Sequence, residues 1–156
     1  MTQPTRQIVV ILCGWAIAAS AAGAGAEGKK QPEPGLITAT DAIRQAFRMR
    51  QAAPLAAALP NPGKIYVSVK IIAAEAGFYS RDQLEALLKQ TFATAQTVTF
   101  HINIDLSSED SKDRGVAVCP SVWSYQAHGV RTDLNLRFQL ARQQEKWQLV
   151  EILEIR

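Results

Sequence analysis

The sequence predicts an α+β protein in which an amphipathic helix lies on one face of a half-buried antiparallel sheet. The main observation is a change of hydrophobic period at Thr97. Before this residue apolar side chains recur every three or four positions, and after it they alternate with polar ones. Three further alternating segments follow, over residues 115–125, 129–141 and 147–155. A helix that leads directly into such a meander favours a sheet with one helix-covered face.

The central helix is predicted to begin at Ser80. Ser80-Arg81-Asp82-Gln83 has the pattern of a capping box, in which the Ser and Gln side chains satisfy backbone N–H groups at the helix start. The apolar stripe of this helix consists of Leu84, Leu87, Leu88, Thr91, Phe92 and Ala95. In the strand that follows, the core-facing side chains are expected to be Val98, Phe100, Ile102, Ile104 and Leu106.

The first half of the chain predicts a second helix and a strand. The helix is expected to bury Ala42, Ile43, Ala46 and Phe47, with Thr38 or Thr40 as its cap. Arg44 and Arg48 lie one turn apart on the opposite face, which is expected to be solvated. Residues 54–59 suit one or two further helical turns, with Pro54 at the start. Alternation from Ile65 to Ile71 predicts the strand, and Gly77-Phe78-Tyr79 is interpreted as a connector or an edge strand.

A hairpin turn centred on Ala127 and His128 predicts the pairing of the next two strands. It places Tyr125 opposite Val130 and Trp123 opposite Thr132. Farther from the turn it places Cys119 opposite Leu136, with small residues facing large ones, unless a bulge at Pro120 breaks the register. Val116, Val118 and Val122 then fall on the other face, and the last strand is apolar on both sides.

The N-terminus has the features of a signal peptide. Arg6 provides a positive charge, residues 8–19 an apolar stretch, and Ala24-Gly25-Ala26 a small-residue cleavage site. The apolar stretch is shorter than the ~20 residues that span a bilayer, so export without stable membrane insertion is expected. The predicted organisation is a signal peptide at residues 1–26, a flexible spacer at 27–37 and one domain at 38–156. The exported protein is expected in the periplasm or outside the cell.

Charge and cysteine content narrow the classes of function. Without Arg6, 16 basic residues face 14 acidic ones, and the basic residues are scattered, so nucleic-acid binding is not expected. Cys119 is then the single cysteine, which excludes a disulfide framework. Glu109, Asp110 and Asp113 lack the ligand order of a calcium loop, and neither a metal nor a cofactor is predicted.

The order of elements, together with GFYSRDQLEALLKQTF and the closing WQLVEILEIR, resembles the nuclear-transport-factor-two-like superfamily. This superfamily includes ketosteroid isomerases, SnoaL-type cyclases and small exported bacterial members of unknown function. The resemblance covers residues 38–156. It implies a strongly curved sheet wrapped around the helices as a cystatin-like cone, an apolar pocket and frequent pairing through the convex face.

The catalytic residues of isomerase-like members have no counterparts here. The first helix has Phe47 where a tyrosine is expected, and residues 59–66 contain no carboxylate. His101 and Asp105 fall on the strand face opposite Phe100. No catalytic residue is therefore predicted. Cys119 lacks a histidine on its own face and is interpreted as a buried structural thiol.

The candidate ligand-binding residues are those with large side chains that face the expected pocket. They are Tyr66, Trp123, Tyr125, Phe47 and Phe92. The first hypothesis is a non-catalytic exported module that binds a small apolar ligand or a protein partner. An isomerase- or cyclase-type enzyme remains as an alternative, as does a purely structural dimer whose pocket is filled by its own side chains. A homodimer through the convex face is expected, because apolar residues there would otherwise remain in water.

Overall fold

The computed structural model describes residues 31–106 and 115–156. The helical elements are α1 (Pro34–Met49), a 3-10 helix (Ala53–Ala57) and α2 (Arg81–Thr94). The strands are β1 (Lys64–Ser68), β2 (Gly77–Ser80), β3 (Gln96–Ile102), β4 (Val116–Ala127), β5 (Val130–Gln143) and β6 (Lys146–Ile155). The predicted α+β class is confirmed. The predicted signal peptide and the acidic residues Glu109, Asp110 and Asp113 lie outside the described residues.

The six strands form one sheet in the order β2-β1-β6-β5-β4-β3. Every neighbouring pair is antiparallel except β1 and β6, which are parallel. Helix α1 contacts both β3 and β6, although these strands are three spacings, or about 14 Å, apart across the sheet. The sheet therefore curves around α1, and the main core lies on its concave side.

Helix α1 begins at Pro34, whereas a spacer was predicted through residue 37. Proline suits the first helical turn, because its missing N–H has no partner there in any case. Neither Thr38 nor Thr40 is the cap, which corrects the prediction. Their hydroxyls donate instead to the carbonyl oxygens of Pro34 (3.0 Å) and Leu36 (2.8 Å), one turn back. The N-cap is Glu33, and its side chain makes no capping bond.

The carboxylate of Glu33 fastens the start of α1 to the end of the sheet. One oxygen accepts a hydrogen bond from the indole Nε1 of Trp147 in β6 at 3.1 Å. The other lies 3.5 Å from a guanidinium nitrogen of Arg142 in β5. The folded unit therefore includes Glu33, five residues before the predicted domain start.

The predicted start of α2 is confirmed. The backbone N–H of Gln83 donates to the Ser80 hydroxyl at 3.4 Å, and the N–H of Ser80 donates to the Gln83 side chain at 2.9 Å. The predicted stripe of α2 faces the core, with Leu87 half-buried and Leu84, Leu88, Thr91, Phe92 and Ala95 buried.

A β-bulge at the start of β3 corrects the predicted facing of that strand. Thr97 pairs with Tyr125 and Thr99 with Ser124, so Val98 is the extra residue. Val98 is 46% exposed rather than core-facing. Phe100 and Ile102, beyond the bulge, are buried as predicted.

The β4–β5 hairpin turns at His128 and Gly129, one residue later than predicted. Both have positive φ (50° and 77°), as a two-residue type I′ turn requires. The observed pairing places Trp123 opposite Leu134 and Cys119 opposite Phe138. The predicted partners were therefore wrong by two residues. The assignment of faces was right, because a shift of two preserves alternation.

Strands β1 and β6 also depart from simple alternation. The prediction that the first strand continues to Ile71 is wrong. The chain turns after Ser68, and the Val69 carbonyl accepts the N–H groups of Ile72 and Ala73, each at 2.9 Å. In β6, Leu149 pairs with Leu140 and Glu151 with Gln139, so Val150 lies at a bulge. This bulge lets both Leu149 and Ile152 face the core.

Candidate functional site

Aromatic side chains occupy the space between α1 and the concave face. Phe47 is fully buried at the centre, and its ring stacks on Phe100 with centroids 4.5 Å apart. Edge-to-face contacts join Phe47 to Trp123 (5.1 Å), Phe92 (5.4 Å) and Phe138 (5.6 Å). We call Phe47, Phe92, Phe100, Trp123 and Phe138 the aromatic cluster. Each aromatic pair in such a geometry stabilises the fold by about 0.5–1.5 kcal/mol beyond the contribution of the apolar surface that it buries.

Four of the five predicted pocket residues lie together in this region. Phe47, Phe92 and Trp123 belong to the aromatic cluster, and the ring of Tyr125 lies 4.7 Å from that of Trp123. Tyr66 lies elsewhere, on the outer face, where its ring is 5.2 Å from the exposed Phe78. The prediction that Tyr66 shares a pocket with the others is thus wrong, because Ile65 and Val67 are the core-facing residues of β1.

The bulge in β3 provides the hydrogen bond of the buried indole. Trp123 is fully buried, and its Nε1 donates to the hydroxyl of Thr97 at 3.0 Å. Without the bulge, Thr97 would face outward and the indole N–H would lack this partner. The cluster is therefore both closely packed and satisfied at its polar atom.

Cys119 lies in the core beside α1. Its sulfur is 4.0 Å from the hydroxyl of Thr40, and its side chain is fully buried. Burial raises the pKa of the thiol from 9.0 to about 11. A thiol with so high a pKa is a poor nucleophile at neutral pH.

The described interior contains no ionised group that could act as an acid or base. Its buried polar residues are Thr40, Thr91, Ser121 and Ser124. His101 and His128 are both exposed. Over residues 31–106 and 115–156, no cluster of three His, Cys, Asp or Glu residues could hold a metal ion. The same ranges contain no helix of the length and hydropathy needed to cross a membrane.

Surface cavities lie at the helical end of the domain and on the outer sheet face. One of 390 Å³ lies between the α1–3-10 junction and the C-terminal half of α2, where Phe92 forms part of its wall. A groove of 340 Å³ on the sheet is lined in part by Val122, Asn135 and Ile155. Of the five predicted pocket residues, Phe92 alone lines either of these two cavities.

The outer face of the sheet has apolar columns on either side of a polar one. Val118, Pro120 and Val122 point outward from β4, and Leu153 and Ile155 from β6. Between them, β5 presents Asn135, Arg137 and Gln139. We call this set of eight residues the outer patch. Val122 and Ile155 are 41% and 44% exposed and flank Asn135 in one row.

No protein-family model matches the sequence, and no curated protein matches it. Among solved structures, a DUF4783 family protein from Bacteroides uniformis gives a TM-score of 0.57 at 13% identity, covering 73% of this chain and 93% of that one. A ketosteroid isomerase-like protein from Erwinia carotovora atroseptica gives a TM-score of 0.57 at 17% identity, and the match covers 78% of this chain and 95% of that one. A putative isomerase from Rhodopseudomonas palustris gives a TM-score of 0.57 at 14% identity, and the match covers 80% of this chain and 90% of that one.

These similarities confirm the predicted nuclear-transport-factor-two-like fold. With identities this low they establish the fold and not an activity. The cone-shaped architecture implied by the sequence resemblance is therefore the architecture of this chain.

Apart from Phe92, the residues that line the helical cavity were not predicted from the sequence. Arg50, Gln51, Ala52 and Ala53 connect α1 to the 3-10 helix, and this junction has no regular period that would place its side chains. A partial signal was available in α2. Lys89, Phe92 and Ala93 follow the i, i+3, i+4 spacing of one helical face.

Proposed function

We propose that this protein is a non-catalytic exported module that pairs with a second copy of itself through the outer patch. The observation that carries the proposal is the contrast between the two faces of the sheet. The aromatic cluster fills the concave side, whereas the outer patch presents apolar side chains to solvent. A large ligand inside the cone would have to displace Phe47 and its neighbours from close contact.

The second copy is favoured as the partner because the outer face of the sheet carries both signs of charge beside the outer patch. Arg137 and Glu151 lie 3.4 Å apart within the face, beside Leu153 and Pro120. A twofold axis near this pair would bring each guanidinium close to the carboxylate of the other copy, while the apolar columns cover one another. An isologous interface of this kind buries the same patch on both copies.

Lack of catalysis is supported by the chemistry of the interior. An isomerase or cyclase needs ionisable groups of shifted pKa that face one cavity. Over the described residues, the buried polar residues are Thr40, Thr91, Ser121 and Ser124, and the buried Cys119 thiol has its pKa raised to about 11. Export is supported by the signal-peptide features at residues 1–26.

Sedimentation velocity of residues 27–156 at tens of micromolar tests the proposal. We expect a dimer for the unmodified protein and a folded monomer for Val122→Lys and for Ile155→Lys. The matched control is Val130→Lys, which places the same charge on an exposed valine (63%) at the end of the β4–β5 hairpin. Val130 pairs with Ala127, about 17 Å along the hairpin from Val122, so the control should remain dimeric.

A monomeric unmodified protein would overturn the proposed pairing. Dimers that persist in both outer-patch variants would assign the interface to another surface. Circular dichroism of each variant confirms that a monomer results from the lost interface and not from unfolding.

A further inference from the structure

The cavity at the helical end of the domain is an open surface depression with an apolar floor and a basic rim. Ala52 and Phe92 are buried in its walls, and Ala53 and Ala93 contribute further small apolar surfaces. Its volume of 390 Å³ lies within the range of about 300–1,000 Å³ that is usual for small-molecule sites. The cavity is therefore large enough for a molecule of two or three fused or linked rings.

Phe92 forms the boundary between this cavity and the protein core. Its ring contacts Phe47 at 5.4 Å and lies 6.3 Å from Trp123, so its position is fixed from within. On α2, Lys89 and Ala93 flank Phe92 at helical spacing and face the same cavity. Phe92 is 4% exposed, so it offers an apolar ligand a small aromatic surface that core packing holds in place.

The charged residues of the rim are both positive. Arg50 and Lys89 line the cavity, and none of its other lining residues is a carboxylate. Neither makes an ion pair within the ranges 31–106 and 115–156, whereas Arg44, Arg81 and Arg142 each do. Two cations that face one apolar cavity without a counterion create a positive potential there.

Arg50 occupies its position in a backbone conformation that usually selects glycine. Its φ is 56°, and it ends α1 with its N–H, like that of Gln51, bonded to the Ala46 carbonyl. An αL residue at a helix end is usually Gly, because other residues meet steric cost there. Arg50 therefore keeps a long side chain at a position where the backbone conformation has a steric cost.

A basic residue near a helix C-terminus also interacts favourably with the helix dipole. That effect stabilises the folded chain and requires neither a cavity nor a ligand. It therefore gives a different experimental result, a change in stability with no change in affinity for any small molecule.

We propose that this cavity binds a small molecule that has an apolar ring system or chain and a single anionic group. The apolar part contacts Phe92, Ala52 and Ala93, and the anionic group lies between the Arg50 guanidinium and the Lys89 ammonium. The site is separate from the outer patch, since none of its lining residues belongs to that face.

Two fluorescent probes that differ in charge test this proposal. The anion 8-anilinonaphthalene-1-sulfonate has the required chemistry, and N-phenyl-1-naphthylamine has the same ring system without the sulfonate. In titrations of residues 27–156, we expect one saturable site that prefers the anion by about tenfold, as one charge-assisted contact would give. Arg50→Gln combined with Lys89→Gln should abolish this preference while leaving the affinity for the neutral probe unchanged.

Matched variants separate the site from general effects of charge and surface. Lys146→Gln removes an exposed positive charge elsewhere and should change neither affinity. Ala93→Trp should fill the cavity and weaken both probes at least tenfold, whereas Ala86→Trp, on an exposed position of the same helix outside the cavity, should not.

Equal affinity of the two probes for the unmodified protein would overturn the proposal. So would an unchanged preference in the Arg50/Lys89 double variant. Thermal denaturation of each variant, measured in parallel, shows that the domain is folded at the titration temperature. Sedimentation of the double variant should match that of the unmodified protein, so failure of this site leaves the proposed pairing unaffected.

Discussion

The guanidinium Nε of Arg48 in α1 donates a hydrogen bond to the carbonyl oxygen of Phe100 in β3 at 3.3 Å. One turn earlier, Arg44 lies 3.5 Å from the carbonyl oxygen of Ile102, and it also pairs with Asp41. Because β3 is an edge strand, these carbonyls face away from β4 and would otherwise be free for another strand. The two arginines therefore protect the sheet edge, in contrast to the solvated role predicted for them.

Replacement of Arg48 should destabilise the domain slightly and expose the sheet edge. For Arg48→Ala we expect a loss of about 1 kcal/mol in the free energy of unfolding, the usual net value of one such hydrogen bond. Light scattering during heating should also rise earlier, because an unprotected edge promotes strand pairing between molecules. Arg131→Ala is the control, since Arg131 is exposed and its only described ion pair is a 3.8 Å contact with Asp133. Equal behaviour of the two variants would argue against edge protection.

Thr97 should matter far more to stability than its neighbour Thr99. In Thr97→Val the shape is retained, but the indole N–H of the buried Trp123 loses its acceptor. We expect a cost of about 1–3 kcal/mol, the penalty for one unsatisfied buried polar group. Thr99 is exposed, and Thr99→Val should remain within about 0.5 kcal/mol of the unmodified protein. Urea denaturation followed by tryptophan fluorescence measures both, and similar values would contradict the assigned role of the bulge.

Cys119 should make the domain less stable at alkaline pH. The folded thiol has its pKa raised from 9.0 to about 11, so above pH 9 the unfolded chain loses a proton that the folded chain retains. The unfolded state then binds fewer protons, and stability falls as pH rises from 9 to 11. A difference of two pKa units lowers the free energy of unfolding by about 2–3 kcal/mol.

The comparison of Cys119→Ala with the unmodified protein isolates this effect from the titration of tyrosines and lysines. Urea denaturation at pH 8 and pH 10.5 should show a smaller pH-dependent loss in the alanine variant. In the native protein at neutral pH, the thiol should also resist labelling until the chain unfolds. Rapid native labelling, or the same pH dependence in both proteins, would contradict burial of this thiol.

The helices and the core-facing side of most strands could be predicted because each depends on a local pattern. The capping box at Ser80 and the stripe from Leu84 to Ala95 are examples. The two bulges could not be predicted in this way. Val98 fits the alternation of apolar and polar residues in β3, and Val150 lies in a strand with apolar residues on both faces. Only pairing with β4 and β5 decides which residue is extra.

The residues of the candidate sites were even harder to predict than the bulges, because their roles depend on tertiary contacts. Tyr66 was placed in the pocket by residue type, yet the alternation of Ile65 and Val67 already indicated that it faces outward. The roles of Arg44 and Arg48 depend on the position of β3 at the sheet edge, which no local period reveals. The rim formed by Arg50 and Lys89 combines residues from separate helices and required the packed structure.

The parallel pairing of β1 with β6 has a consequence for the order of events during synthesis. Tyr66 pairs with Glu151 and Val67 with Ile152, about 85 residues later in the chain. A chain made from its N-terminus can therefore pair β1 with β2 early, but the other edge of β1 lacks its partner until the final strand emerges. Long-range pairings of this kind slow folding and prolong the lifetime of incomplete sheets. That delay would keep the concave side of the sheet open, and its apolar side chains accessible, until the last residues are available.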